Sequence, residues 1–166
     1  MRINKSKKAI KIAQMNVNQS IEVSDLVRSV IAPLNYYTKK ARRTETAKYT
    51  ADELERMCRE DPDSVLIAVH GSKIIGFCLS RYDDGLIWLA WFGVSKNYRG
   101  RGVGQRLLSA LEATVRKRGG HKLWCDCRTT NAESKRLLIA AGFTPTGLLR
   151  NHWFGQDFIL WDKLVC

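Results

Sequence analysis

The residues with the clearest chemical potential lie in one string, Tyr98-Arg99-Gly100-Arg101-Gly102-Val103-Gly104-Gln105. Its three glycines free the backbone to turn sharply and to approach a ligand closely. An apolar run precedes the string and an amphipathic run follows it. A helix starting here would offer its unpaired first N–H groups and the positive end of its dipole to an anion, and Arg99 and Arg101 would add charge. The string is not a P-loop, which needs G-x-x-x-x-G-K-[ST]. Nor does it complete a G-x-G-x-x-G dinucleotide fingerprint, because Gln105 stands at the third glycine. Two readings stay open on these residues alone: a phosphate cradle, or an ordinary loop leading into a helix.

Two further groups could move protons. Asp126 lies between Cys125 and Cys127 in a strand-like run, so alternation turns its carboxylate away from both thiols. It could act through a water, bind an ammonium, or anchor Arg128. His152, in Arg150-Asn151-His152-Trp153, carries an imidazole, the side-chain type most used for proton transfer. It could serve as acid or base, or be a surface or hydrogen-bonded strand residue. Tyr98 and Cys127 are secondary candidates, and Asp157 is placed to tie down the connection between the last two strands. The five cysteines, Cys58, Cys78, Cys125, Cys127 and Cys166, form no C-x-x-C pair and have no His at a ligand interval. They read as reduced thiols of a cytoplasmic protein, with no metal site.

The elements that must position these groups follow from periodicity. Residues 9–15 read as a strand. Val23, Leu26, Val27, Val30 and Ile31 recur at helical spacing in a helix from about Ser20 to Pro33. Thr50-Ala51-Asp52-Glu53 is a capping box that opens a second helix, with Leu54, Met57 and Cys58 as its apolar stripe and Asp61-Pro62-Asp63 as its stop. Strands at 65–69, 74–80 and 86–94 are joined by tight turns and so should be antiparallel neighbours. The last is apolar almost throughout, which predicts that both its faces are covered. Val103, Leu107, Leu108, Leu111 and Val115 mark the core face of a helix ended by Gly119-Gly120. A strand at 122–127, a helix at 132–141 and strands at 144–150 and 158–165 complete the chain. The order β-α-α-β-β-β-α-β-α-β-β implies an α+β domain with a mixed central sheet flanked by helices.

Composition bounds the partners. Of 166 residues, 45% are hydrophobic and only three are proline, which suits one domain over 9–166 behind a basic tail at 1–8. Arg2, Lys5, Lys7 and Lys8 are followed by no apolar signal region, and the stretch 86–94 is too short to span a membrane. The net charge of +12 favours polyanionic partners without choosing among them. The basic segment Tyr36-Tyr37-Thr38-Lys39-Lys40-Ala41-Arg42-Arg43, with Lys48 beyond it, reads as a solvated loop, or as a surface for RNA or an acidic substrate.

Arg99-x-x-Gly102-x-Gly104, following Val94-Ser95-Lys96-Asn97-Tyr98, resembles the coenzyme A pyrophosphate motif of the GNAT superfamily of N-acetyltransferases. Arg128-Thr129-Thr130-Asn131, then Leu137-Leu138 and Ala141-Gly142-Phe143, resemble the family's second block. The resemblance implies a GNAT fold and acetyl-CoA as cosubstrate, with its pyrophosphate on the backbone N–H groups of Gly100, Arg101, Gly102, Val103, Gly104 and Gln105 and with Arg99 as a further cofactor-binding residue. It further implies pantetheine contacts at Phe92, Gly93, Val94 and Asn131, an N–H near the thioester carbonyl, and direct attack by a primary amine. Two departures stand out: Leu138 replaces the family's Tyr and Ile139 its Glu, so the proton-transfer roles fall to His152 and Asp126. Alternatives are a silent acyl-CoA sensor or a basic protein associated with RNA or the ribosome. A cationic rim disfavours basic peptides, leaving a small amine, an amine on an acidic molecule or a protein N-terminus as acceptor; homodimers also occur in the family.

Overall fold

The computed structural model describes residues 9–165. The basic stretch 1–8 and Cys166 lie outside the described residues. The strands are β1 Ile10–Gln14, β2 Val65–His70, β3 Lys73–Asp83, β4 Leu86–Val94, β5 Lys122–Arg128, β6 Thr144–Leu149 and β7 Phe158–Leu164. The α-helices are α1 Ser20–Ile31, α2 Lys39–Lys48, α3 Ala51–Glu60, α4 Val103–Lys117 and α5 Ala132–Ala140. The strands form one sheet in the order β1-β2-β3-β4-β5-β7-β6. Among the described residues, no helix is long and apolar enough to cross a membrane.

The element order matches the expected one except for an extra helix, α2, where the basic segment reads as a loop. Ala, Lys, Arg and Glu favour helix, and the Thr38 side chain caps α2 by accepting the Ala41 N–H at 3.1 Å. Only Ala41 of α2 is buried, so the segment carries no apolar period to announce it. Thr50 caps α3 as its capping box implies. The turn between β3 and β4 places Asp84 and Gly85 at φ 45° and 86°, the paired positive dihedrals of a two-residue hairpin.

One face of the sheet packs against α1 and α3 through Val23, Val27, Ile31, Leu54, Ile67 and Phe77. The other packs against α4 and α5 through Leu107, Leu108, Leu111, Val115, Leu123 and Leu138. Both β2 and β3 feed the two cores at once, so these strands read as nearly unbroken apolar runs.

All neighbouring strands are antiparallel except β4 and β5, whose parallel pairing needs the long crossover that α4 supplies. That pairing joins Leu86 to Lys122 and ends where Leu89 meets Cys125. Beyond it β5 stays with β7 and β4 stays with β3, with a bulge in the β3–β4 ladder that skips Ala90. The expectation that 86–94 is covered on both faces therefore fails in its second half. Ile87 and Leu89 are buried, whereas Ala90 is exposed and Trp91 and Phe92 are half-buried, because the neighbouring strand has turned away.

The α4 side of the core should dominate stability. Leu111 is fully buried, and Leu111→Ala should cost about 2–5 kcal/mol in urea unfolding. Leu164→Ala, at a side chain 69% exposed, should change stability by less than about 0.5 kcal/mol.

Candidate functional site

A cleft of about 990 Å³ opens where β4 and β5 part. On its α4 side lie Phe92, Gly93 and Val94, the loop from Tyr98 to Gln105 without Arg101, and Asn131 at the start of α5. Gly100 and Gly102 take φ of 72° and 74°, the left-handed region that disfavours any side chain. Gly102 is the N-cap of α4 and supplies no side-chain cap, which leaves the first N–H groups of the helix facing outward. A Cβ on either glycine would meet nothing within 4 Å, so this backbone borders open space.

The other residues of this half divide by role. Gly104 is a packing glycine, since a Cβ there would lie 2.8 Å from the Leu137 side chain of α5. Val103 is buried in the core and can offer only backbone to the cleft. The Arg99 Nε donates to the Val94 carbonyl at 3.1 Å and braces the loop. Arg101 does not line the cleft; its guanidinium lies 5.2 Å from the Tyr98 ring centre. Asn131 lines the cleft but spends its side chain capping α5, accepting the Ser134 N–H and donating to the Ser134 hydroxyl. Leu138 is buried in the core, Leu137 lines the cleft and Ile139 is exposed.

The α2 side of the cleft is aromatic and acidic. Asp126 lines it, and its Oδ2 accepts the Trp153 indole N–H at 2.7 Å. Burial raises the Asp126 carboxyl above the ordinary range, opposed by the Trp153 hydrogen bond and by His152. His152 itself is exposed and is not among the cleft-lining residues; its ring lies edge-on to Trp153, centroids 4.6 Å apart. It sits in the turn between β6 and β7 rather than in a strand. That turn holds Asn151, Phe154 and Gly155 at φ of 47°, 55° and 70°, a strained path that carries Trp153 over Asp126. Asp157 steadies it by accepting the Asn151 N–H at 2.8 Å, the role its position suggests.

Asp126 does not anchor Arg128. The Arg128 guanidinium instead donates to the Asp157 carbonyl at 2.6 Å and the Tyr36 carbonyl at 3.2 Å. One side chain thus joins the α1–α2 connection to the β6–β7 turn, the two walls of this half. Burial pushes the Tyr36 phenol up to about 12 and that of Tyr37 higher still, so both keep their protons at neutral pH. Cys125 and Cys127 also line the cleft, raised by burial, and the Cys127 sulfur accepts the Trp161 indole N–H.

Glu45 went unrecognised in the sequence. It points inward from α2, 12% exposed, with Oε2 accepting the Trp91 indole N–H at 2.8 Å and Oε1 paired to Lys48 at 2.6 Å. Nothing in the sequence marks it, because the helix that aims it has no apolar stripe. Trp91 and Trp153 were equally hidden as carboxylate partners, since each pairing spans dozens of residues.

If Arg128 holds the two walls together, Arg128→Met should speed amide hydrogen exchange at 36–38 and 151–157 by about tenfold. Exchange across α4 should stay unchanged.

Comparison with known proteins gives one family. A sequence model described as the acetyltransferase (GNAT) family matches residues 32–143. An acetyltransferase of Sodalis glossinidius is 34% identical over 71 residues, 43% of this chain and 50% of that protein. One from Pectobacterium atrosepticum is 33% identical over 79 residues, 48% of this chain and 56% of that protein. The chain therefore spans about half the length of the curated relatives it matches. Among solved structures, the PaiA N-acetyltransferase of Thermoplasma acidophilum in complex with coenzyme A superposes with TM-score 0.80 at 18% identity, over 94% of this chain and 99% of that one. A Salmonella typhimurium acetyltransferase with its cofactor acetyl-CoA gives TM-score 0.79 at 18% identity, over 95% of each chain. These likenesses show the fold.

Proposed function

The chain belongs to the acetyltransferase (GNAT) family, and from that premise we propose that it transfers an acetyl group from acetyl-CoA to a primary amine by direct attack. The observation that carries this reading is the parting of β4 from β5 beside the open N-terminus of α4. The pyrophosphate oxygens accept N–H groups between Gly100 and Gln105, with no side chain at Gly102 to obstruct them. The pantetheine arm runs along the edge of β4 at Phe92, Gly93 and Val94, taking the place of the strand that β5 does not supply. A β4 N–H polarises the thioester carbonyl, as in an oxyanion hole.

The acceptor arrives from the α2 side. An alkylammonium has a pKa of about 10.4, so it must lose a proton before it attacks. Asp126 takes that proton, directly or through a water, and the nitrogen lone pair then adds to the carbonyl carbon. As the tetrahedral intermediate collapses, the C–S bond breaks, the C–N bond remains, and the nitrogen's second proton passes to the departing thiolate. Tyr36, a protonated phenol, donates a hydrogen bond to that thiolate as it leaves. This covers the role that Leu138 cannot fill. His152 acts on Asp126 from behind Trp153, favouring the ionised carboxylate. Four buried free thiols suit a cytoplasmic setting.

Calorimetric titration with acetyl-CoA tests the cofactor half. Gly102→Glu should weaken binding by about 100-fold or more, placing a carboxylate where the phosphates lie. Arg101→Glu, outside the cleft, should cost only severalfold. A wild-type protein that ignores acetyl-CoA would refute the proposal. For the acceptor half, Asp126→Asn should lower kcat/KM by about 10²–10⁴-fold with acetyl-CoA affinity intact. The rate should rise with pH as Asp126 ionises. Trp153→Phe removes the hydrogen bond that holds this carboxyl down, so the acid limb of the profile should move to higher pH. A limb that stays in place would remove Asp126 from the mechanism.

A further inference from the structure

The acceptor half of the cleft opens beside a surface of opposite charge. The outer face of α2 forms a groove lined by Lys39, Lys40, Arg43, Thr44, Ala47 and Lys48, and Lys48 also lines the cleft. Helix α2 carries Lys39, Lys40, Arg42, Arg43 and Lys48 against the single acid Glu45, which turns inward. Some exposed helical arginines are paired along their own helices: Arg28 with Asp25, Arg56 with Glu53 and Glu60, Arg59 with Glu55, Arg116 with Glu112. Among the described residues, Lys39, Lys40 and Arg43 have no such partner. What sets α2 apart is concentration: Lys39, Lys40, Arg43 and Lys48 line one groove that adjoins the cleft, and such a cluster attracts an anion from outside.

The interior asks for the opposite charge. Asp126 uses Oδ2 on Trp153, and its other oxygen has no protein partner among the described residues. The rings of Tyr37 and Trp91 stand close by, centroids 5.7 Å apart, offering π faces that favour a cation.

Resting on the acetyltransferase reading above, we infer that the acceptor is a small bipolar molecule. It is a primary amine that also carries a phosphate or similar anion, the ammonium entering beside Asp126 and the anion lying on α2. A nucleic acid fits less well, because the groove holds no aromatic residue on which bases could stack.

The test compares hexylamine with 6-aminohexyl phosphate, by calorimetry on the CoA-loaded protein and by acetylation rate. The phosphate compound should bind about tenfold more tightly and show about tenfold higher kcat/KM at about 0.02 M salt, with the advantage gone by about 0.5 M. The triple variant Lys39→Glu/Lys40→Glu/Arg43→Glu should lose the preference while keeping its unfolding temperature, since all three side chains are exposed. Lys11→Glu/Lys73→Glu/Lys117→Glu makes the same change in net charge away from the cleft and should keep it. Equal binding of the two amines would overturn the inference, as would loss of the preference in both triple variants. A clear preference for a 5′-aminohexyl oligonucleotide over the monophosphate would also overturn it, in favour of a polymeric acceptor. Binding separates the two readings. Selective binding without acetylation would sink the transferase and spare the anion site; acetylation without selectivity would do the reverse.

Discussion

The strands β4 and β5 lie parallel and share hydrogen bonds only over residues 86–89 and 122–125. Past that point each keeps its other neighbour, β3 or β7, and the two diverge. A strand edge opened inside a sheet is costly unless something else meets its polar groups. Here it faces the N-terminus of α4, whose first N–H groups also lack internal partners. The crossover that makes β4 and β5 parallel is the same helix that brings these donors to the mouth of the gap. The cleft, with the glycine loop on one side and α2 on the other, descends from that one departure.

The two halves of the cleft are built by different means. The α4 side depends on backbone: left-handed glycines at 100 and 102, a helix start, and side chains such as Arg99 and Asn131 that brace or cap rather than reach outward. The α2 side depends on side chains fixed over long sequence distances. Trp91 holds Glu45, Trp153 holds Asp126, and Arg128 ties the turn carrying Trp153 to the segment carrying Tyr36. A backbone site suits a cosubstrate common to a whole family, whereas a side-chain site can vary with the acceptor.

Legibility followed the same division. The glycine string was readable because positive φ restricts residue choice at single positions, and α1, α3 and α4 because a buried helical face imposes a period. Asp126 was readable as a carboxylate on the face of β5 opposite the thiols. His152 stood out as an imidazole beside the acid candidates, yet the strained turn at Asn151 and Phe154 leaves it outside the cleft and lays Trp153 against Asp126 instead. Helix α2 was illegible because its stability rests on propensity and a threonine cap rather than on a buried stripe, and Glu45 was lost with it.

By itself the sequence determined the order of most elements, the glycine-rich backbone of the loop at 99–105 and the resemblance to the family to which the chain belongs. These rest on local chemistry: periodicity, capping and the conformations open only to glycine. Tertiary structure alone decided where β4 leaves β5, which carboxylates face the cleft and which cations remain uncompensated beside it. Those outcomes depend on contacts between residues dozens of positions apart, where no local rule links one residue type to its partner.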